Sequence, residues 1–336
     1  MEVTGRFIAF LLAVYGFLLL GCLSRRPIRE PVKVSGLLSR VFLLVTAPLI
    51  ILNSLWSVEI TGPYTAGLPL IQVGLQFLSL APALLLARLL GADRGEKGAV
   101  ISCSMFSNTG PTLGMVICYA LFGDRGLYLA GWFVVLFSPV YYLVAFPLLG
   151  MFSPSRPSER RSPGRSPMGR SLGWLGEALA DLLGSPVSAV PMAFTVLGIG
   201  LNLAGAPRPP LLNHVVNRYL TYLSAAGFSF AIGMGFDFRR SLGYTRHALL
   251  VSVVKFGFTP LAAAALLAVL GFFRITDALP ARVVLVQSVM PTAILAVVAV
   301  KLFGLNEDLA NAVWMLSTLL AVPVILLLFA VQRLLW

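Results

Sequence analysis

Five residues, Ser107-Asn108-Thr109-Gly110-Pro111, interrupt an apolar stretch that otherwise runs over 98–123. A second apolar stretch, 281–304, is interrupted in the same way by Gln287, Ser288 and Met290-Pro291-Thr292. Proline inside a helix removes a backbone donor and frees a carbonyl. In a bilayer such broken backbone survives only inside protein or beside a wet cavity. Asn108 and Thr109 ahead of Pro111 predict an N-cap and a proline at the first helical position, and Pro291-Thr292 predicts a second restart. Two helix N-termini at depth offer free N–H donors and partial positive charge, which suits an anion without any basic side chain. The candidate binding residues are therefore Ser104, Ser107, Asn108, Thr109, Gln287, Ser288 and Thr292, with Gly110, Pro111 and Pro291 as the helix breaks. The bland alternative is that Pro, Ser and Thr merely kink and pack membrane helices. Two interruptions at matching places weigh against it.

The elements that must hold these residues are membrane spans. The 336 residues are 58% apolar and only 11% charged, with a mean hydropathy of +0.90. Such a chain keeps its apolar surface toward lipid. Apolar runs of about 20 residues predict ten helices, near 6–23, 37–57, 65–90, 98–122, 127–150, 186–204, 213–236, 246–271, 281–303 and 308–334. The fold class is thus all-α and integral to the membrane. Its formal charge of +12 falls between the apolar runs, the pattern of cytoplasmic loops, which excludes nucleic acid as a partner.

Loops after the odd spans carry 17 Lys and Arg residues against seven on the other side. This places those loops in the cytoplasm and both termini outside, in the plasma or inner membrane. Leu19-Leu20-Gly21-Cys22 resembles a lipoprotein processing site only superficially, and a retained first span is expected. Trp56, Trp314 and Trp336 near span ends suit either interfacial anchoring or helix contacts. Residues 153–170 are rich in Ser, Pro and Arg and cannot bury a core. Leu172, Leu175, Leu179, Leu182 and Leu183 then recur at helical spacing, predicting a short interfacial helix.

The expected organisation is a five-helix unit over 1–150, a basic cytoplasmic linker with that short helix over 151–185, and a second five-helix unit over 186–336. The units look related. Leu121-Phe122-Gly123 and Leu302-Phe303-Gly304 lie 181 residues apart, Pro111 and Pro291 lie 180 apart, and Trp132 and Trp314 lie 182 apart. An odd number of spans per unit inverts the second copy in the membrane, a design of secondary transporters. Both prolines then fall near mid-membrane, roughly 15–20 Å from the ends of their spans at 1.5 Å per residue.

The pattern resembles the auxin efflux carrier family, within the superfamily of bile-acid, arsenite and auxin-type transporters. That family includes plant auxin exporters and bacterial carriers suggested for malate or malonate. The resemblance covers nearly the whole chain. It is carried by Ser107-Asn108-Thr109-Gly110 with Gly114, by Met290-Pro291-Thr292-Ala293, by Lys301-Leu302-Phe303-Gly304 and by 309–319 (LANAVWMLSTL). Residues 36–48 and the step from Lys255 to Pro260 add to it. The resemblance implies ten helices in two inverted five-helix repeats, with spans 4 and 9 crossing as broken helices. It also implies a scaffold against which an elevator-like transport domain moves, a homodimer, and Asn108 meeting a substrate carboxylate. One departure is that Met115 follows Gly114 where the family has proline, with Pro111 four residues earlier.

No Asp or Glu lies at the centre of a predicted span, which argues against a cation antiporter with an aspartate pair. Lys255, about nine residues into span 8, is read first as a snorkelling or interhelix-paired lysine and second as a pathway charge. Three cysteines and two histidines indicate neither a disulfide framework nor a metal site, and no cofactor is expected. The leading expectation is a permease for small organic anions that works by alternating access. Behind it stand a sodium-coupled symporter of the bile-acid type and a ligand sensor on the same scaffold. An enzyme is not expected, because no nucleophile–base set occurs within the spans.

Overall fold

The computed structural model describes residues 3–153, 184, 186–235 and 242–335. The expected interfacial helix and nearly all of the basic linker lie outside the described residues. The described chain is helical and includes no strand, only one isolated backbone bridge.

In chain order, with tight and wide turns included, the helices are α1 (Val3–Ser24), α2 (Pro31–Ser57), α3 (Leu68–Leu89), α4 (Arg94–Met105), α5 (Gly114–Gly150), α6 (Pro186–Leu203), α7 (210–235), α8 (Leu242–Val269), α9 (Leu279–Ser288), α10 (Ile294–Leu302) and α11 (Glu307–Leu335). Six of them, α1, α2, α3, α5, α8 and α11, are long and apolar enough to cross a membrane. Chain direction changes at glycines with positive φ, a conformation that costs glycine little. Gly91 follows α3 and Gly271 follows α8, while Gly123 turns the chain within α5 and Gly304 follows α10.

Helices α1, α2, α6 and α7 pack on one another, and α3, α4, α8, α10 and α11 form a second group. In the first group α1 and α7 approach backbone to backbone. Cβ atoms added at Gly21 and Gly233 would strike the carbonyl oxygens of Phe230 and Leu18. Lipid tails are as apolar as leucine, so such close contact and buried polar pairs hold membrane helices together. Thr46 Oγ1 donates to Ser224 Oγ at 2.7 Å, and Asn53 Nδ2 donates to Asn217 Oδ1 at 2.8 Å. Asn217 in turn donates to Asp124 Oδ1 at 3.0 Å and to the Tyr128 hydroxyl at 2.8 Å, tying α7 to α5.

In the second group, Trp314 is buried in the core rather than placed at an interface. Helix α4 has a complete capping box: Asp93 Oδ1 accepts from Glu96 N at 2.8 Å, and Glu96 Oε2 accepts from Asp93 N at 3.1 Å. Asp93→Ala is expected to cost about 1 kcal/mol of stability, read as a lower thermal midpoint. Transport in this variant should persist, because the cap lies a full helix away from the break.

Candidate functional site

Two non-helical segments meet in the protein interior, one between α4 and α5, the other between α9 and α10. Phe106 ends α4 in an extended conformation, and Ala293 precedes α10 in another. The two backbones run antiparallel past each other. Asn108 N donates to Pro291 O at 2.7 Å, Ala293 N donates to Phe106 O at 2.9 Å, and Ser107 pairs with Thr292. Buried backbone groups freed by the breaks are thereby satisfied, as the apolar setting demands. Thr292 completes the joint. Its hydroxyl donates to Cys103 O at 2.9 Å at the end of α4, and its N–H donates to Ser317 Oγ of α11 at 3.2 Å.

The helices restart later than the sequence predicts. Asn108 does not cap a helix at Pro111, because extended pairing with 291–293 holds its backbone straight. Residues 110–113 form a turn, and α5 begins at Gly114 behind Leu113, with no side-chain cap. Gly114 N and Met115 N donate to Asn108 O and Gly110 O, each at 3.0 Å, so the first donors of the helix are already engaged. Asn108 Oδ1 accepts from the Thr112 hydroxyl, and among the described residues its Nδ2 has no protein partner. Helix α10 begins at Ile294, three residues beyond Pro291.

Beside this joint lies a small, partly open pocket. Ser107, Thr109, Gln287 and Ser288 line it from the joint and α9. Thr292 and Asn108 sit in the joint itself. Ser104, fully buried one turn before the break, has no partner for its hydroxyl among the described residues. The pocket also takes Gln72, Gln76 and Ser79 from α3 and Thr259 from α8, which sequence reasoning missed. A signal was available: positions 72, 76 and 79 follow helical spacing, so they put three polar residues on one face of an apolar span. Both amide atoms of Gln76 and the Oε1 atoms of Gln72 and Gln287 are buried with no partner among the described residues. Buried polar atoms of this kind are normally satisfied by water or ligand.

Of the readings open for Lys255, snorkelling does not fit: the residue is fully buried, and its Nζ donates across elements to Ser107 Oγ at 2.9 Å. It sits in a widened turn of α8, Val254–Phe258, a type of bulge frequent at functional sites. The ion pairs among the described residues are exposed: Lys33–Glu30, Arg125–Asp277 and Lys301–Glu307. Lys255 has no carboxylate partner among the described residues. A site expected to hold an anion with backbone donors alone thus has an ammonium next to its first residue. No group of His, Cys, Asp and Glu suited to a metal occurs among the described residues.

The helices and the joint they frame define an all-helical membrane protein with a polar, cationic spot in its interior. Across 293 residues, covering 84% of each chain, the sequence is 27% identical to an uncharacterized transporter of Methanothermobacter thermautotrophicus. No protein-family profile matches the chain.

Proposed function

We propose that the protein is a secondary transporter that carries small organic anions by alternating access, on the architecture of the auxin efflux carriers. The observation that carries the proposal is the joint at Ser107 and Thr292, with the Lys255 ammonium donating to Ser107 and the Asn108 amide left open beside it. In this reading Asn108 Nδ2 and Thr109 hold the substrate carboxylate, Lys255 supplies the opposite charge, and Gln287 and Thr292 brace the joint. The similarity to a transporter of Methanothermobacter thermautotrophicus supports transport.

Two inverted five-helix repeats find support in the turns. Gly91 and Gly271, 180 residues apart, both have positive φ, and so do Gly123 and Gly304, 181 apart. Ser79 and Thr259, also 180 apart, meet at 3.4 Å beside the pocket, as equivalent residues do near a pseudo-twofold axis. The two packed helix groups correspond to a scaffold and a moving body.

The test is uptake of labelled malate, malonate, indole acetate and cholate into proteoliposomes. Flux of at least one acid is expected. It should fall about tenfold or more in Asn108→Ala, because a hydrogen bond to a charged group contributes about 1.5–3 kcal/mol. Flux that ignores the substitution would place the substrate elsewhere. A sodium-coupled symporter is the second reading, favoured by the amide and hydroxyl oxygens of the pocket, which are ligands of the type that hard cations take.

A further inference from the structure

We propose that Lys255 is the coupling group of this carrier: it takes up one proton with each organic anion and returns that proton when the anion leaves. The inference rests on the reading of the joint as the anion site. Three independent features support it.

The first is the isolation of the charge. Lys255 is fully buried, and its hydrogen-bond partner is the neutral hydroxyl of Ser107. The helices packed on α8 include α3, α4, α9 and α11. The titratable group that acts on Lys255 from them is the Cys103 thiol of α4. Of their charged residues, Arg88, Lys97 and Arg282 carry the same sign, and among the described residues Glu96, Glu307 and Asp308 form no ion pair with it, Glu307 pairing instead with Lys301. A buried ammonium without a counter-ion is costly, and an anion placed at the neighbouring joint removes that cost. Binding of the anion and of the proton therefore reinforce each other, and the reinforcement is reciprocal.

The second feature is the position of Ser107. It is both the partner of Lys255 and the residue whose backbone forms the joint, next to the open amide of Asn108. The third is a route for the proton. The pocket reaches Ser107 and also Thr259, one turn beyond Lys255, and the unpartnered amide atoms of Gln72, Gln76 and Gln287 call for water there.

The cycle balances. On one side a proton from the bulk, relayed by pocket water, passes to the amine lone pair. A hydronium O–H bond breaks, an N–H bond forms, neutral water is left, and the carboxylate binds. On the other side the carboxylate leaves, the N–H bond breaks, and the proton returns to water. A monocarboxylate moves without net charge, and a dicarboxylate carries one negative charge. While it is protonated, the same ammonium repels sodium from the oxygens of the pocket, so this account opposes sodium coupling.

The experiment uses the full chain in proteoliposomes with an internal pH dye, supplied with malate, malonate, indole acetate or cholate, against protein-free vesicles. Wild type is expected to bring in one proton per acid, with flux unchanged when choline replaces sodium. Lys255→Arg keeps a permanent charge, so acid-for-acid exchange should persist while net uptake falls about tenfold or more, because a guanidinium does not release its proton. Lys255→Met should move no protons, and Cys103→Ala should retain the coupling. Acid entry without protons, proton coupling that survives in Lys255→Met, net uptake at the wild-type rate in Lys255→Arg, or a requirement for sodium would each overturn the inference while the carrier reading stands. The wild-type proton count decides the matter even where a variant does not fold. No flux of any of the four acids refutes the carrier reading, and this inference with it.

Discussion

Gly114→Ala is expected to cut transport about a hundredfold and to lower the thermal midpoint by several degrees. Gly114 is the first residue of α5, where the chain leaves the joint. A Cβ there would lie 2.6 Å from both the Cα and the carbonyl oxygen of Thr109, and would also strike Gln287 Oε1. The amide of Gln287 can turn, but the backbone of Thr109 cannot. Thr109 N is tied to Ser107 O at 2.8 Å, and Gly114 N to Asn108 O at 3.0 Å. Overpacking of this kind costs about 1–3 kcal/mol. The relief the chain can find is displacement of 107–109, the residues proposed to hold the substrate. Misplacement by about 1 Å reduces catalysis about a hundredfold in enzymes, and a comparable loss of flux is expected here. Gly110→Ala is the contrasting variant. It lies in the same turn, but its Cβ would meet nothing within 4 Å and its φ is not positive, so its thermal midpoint should match wild type.

The second large effect concerns the contact of α1 with α7. Gly233→Leu is expected to prevent correct folding, seen as loss of the monodisperse peak in detergent and of the cooperative thermal transition. A Cβ at Gly233 would strike Leu18 O and lie 3.0 Å from Cys22 N, while one at Gly21 would strike Phe230 O and lie 3.0 Å from Met234 N. These are backbone atoms on both sides, so no rotamer change makes room. The helices would have to separate and forfeit the close packing that substitutes for hydrophobic association in lipid. Gly200, on α6, faces open space, and Gly200→Leu should fold as wild type does. If Gly233→Leu unfolds no more readily than Gly200→Leu, the contact between α1 and α7 is not what holds the first helix group together.

Much of this arrangement was legible in the sequence because apolar length and proline position are local signals. Long apolar runs predicted α1, α3 and α11 closely, α2 begins six residues before the run at 37–57, and the polar interruptions overlap the non-helical residues 106–113 and 289–293. The manner of the break was not legible. Pro111 after Asn108 and Thr109 has the local chemistry of a helix start. The antiparallel pairing of 106–108 with 291–293 is a contact across more than 180 residues, and it overrides that preference. Lys255 shows the same limit. A lysine nine residues into a span reads alike whether it reaches the surface or points inward, and only the packing of α8 on α4 turns it toward Ser107. Gln72, Gln76 and Ser79 were different. Their shared face was written in their spacing, and the glutamine atoms left unpartnered there are the mark of a pocket.

The central claim is that the joint at 107–109 and 291–292 is the substrate site and opens alternately to the two sides of the membrane. Thr112 is half-buried and its hydroxyl donates to Asn108, so a cysteine at 112 reports on that site. The most direct measurement is the labelling of Thr112→Cys by a membrane-impermeant maleimide, applied from each side of sealed vesicles in turn, with Cys22 replaced by serine. The account predicts labelling from both sides, slowed from both by the acid that the protein transports. Labelling from one side alone, or at a rate the transported acid leaves unchanged, would contradict it.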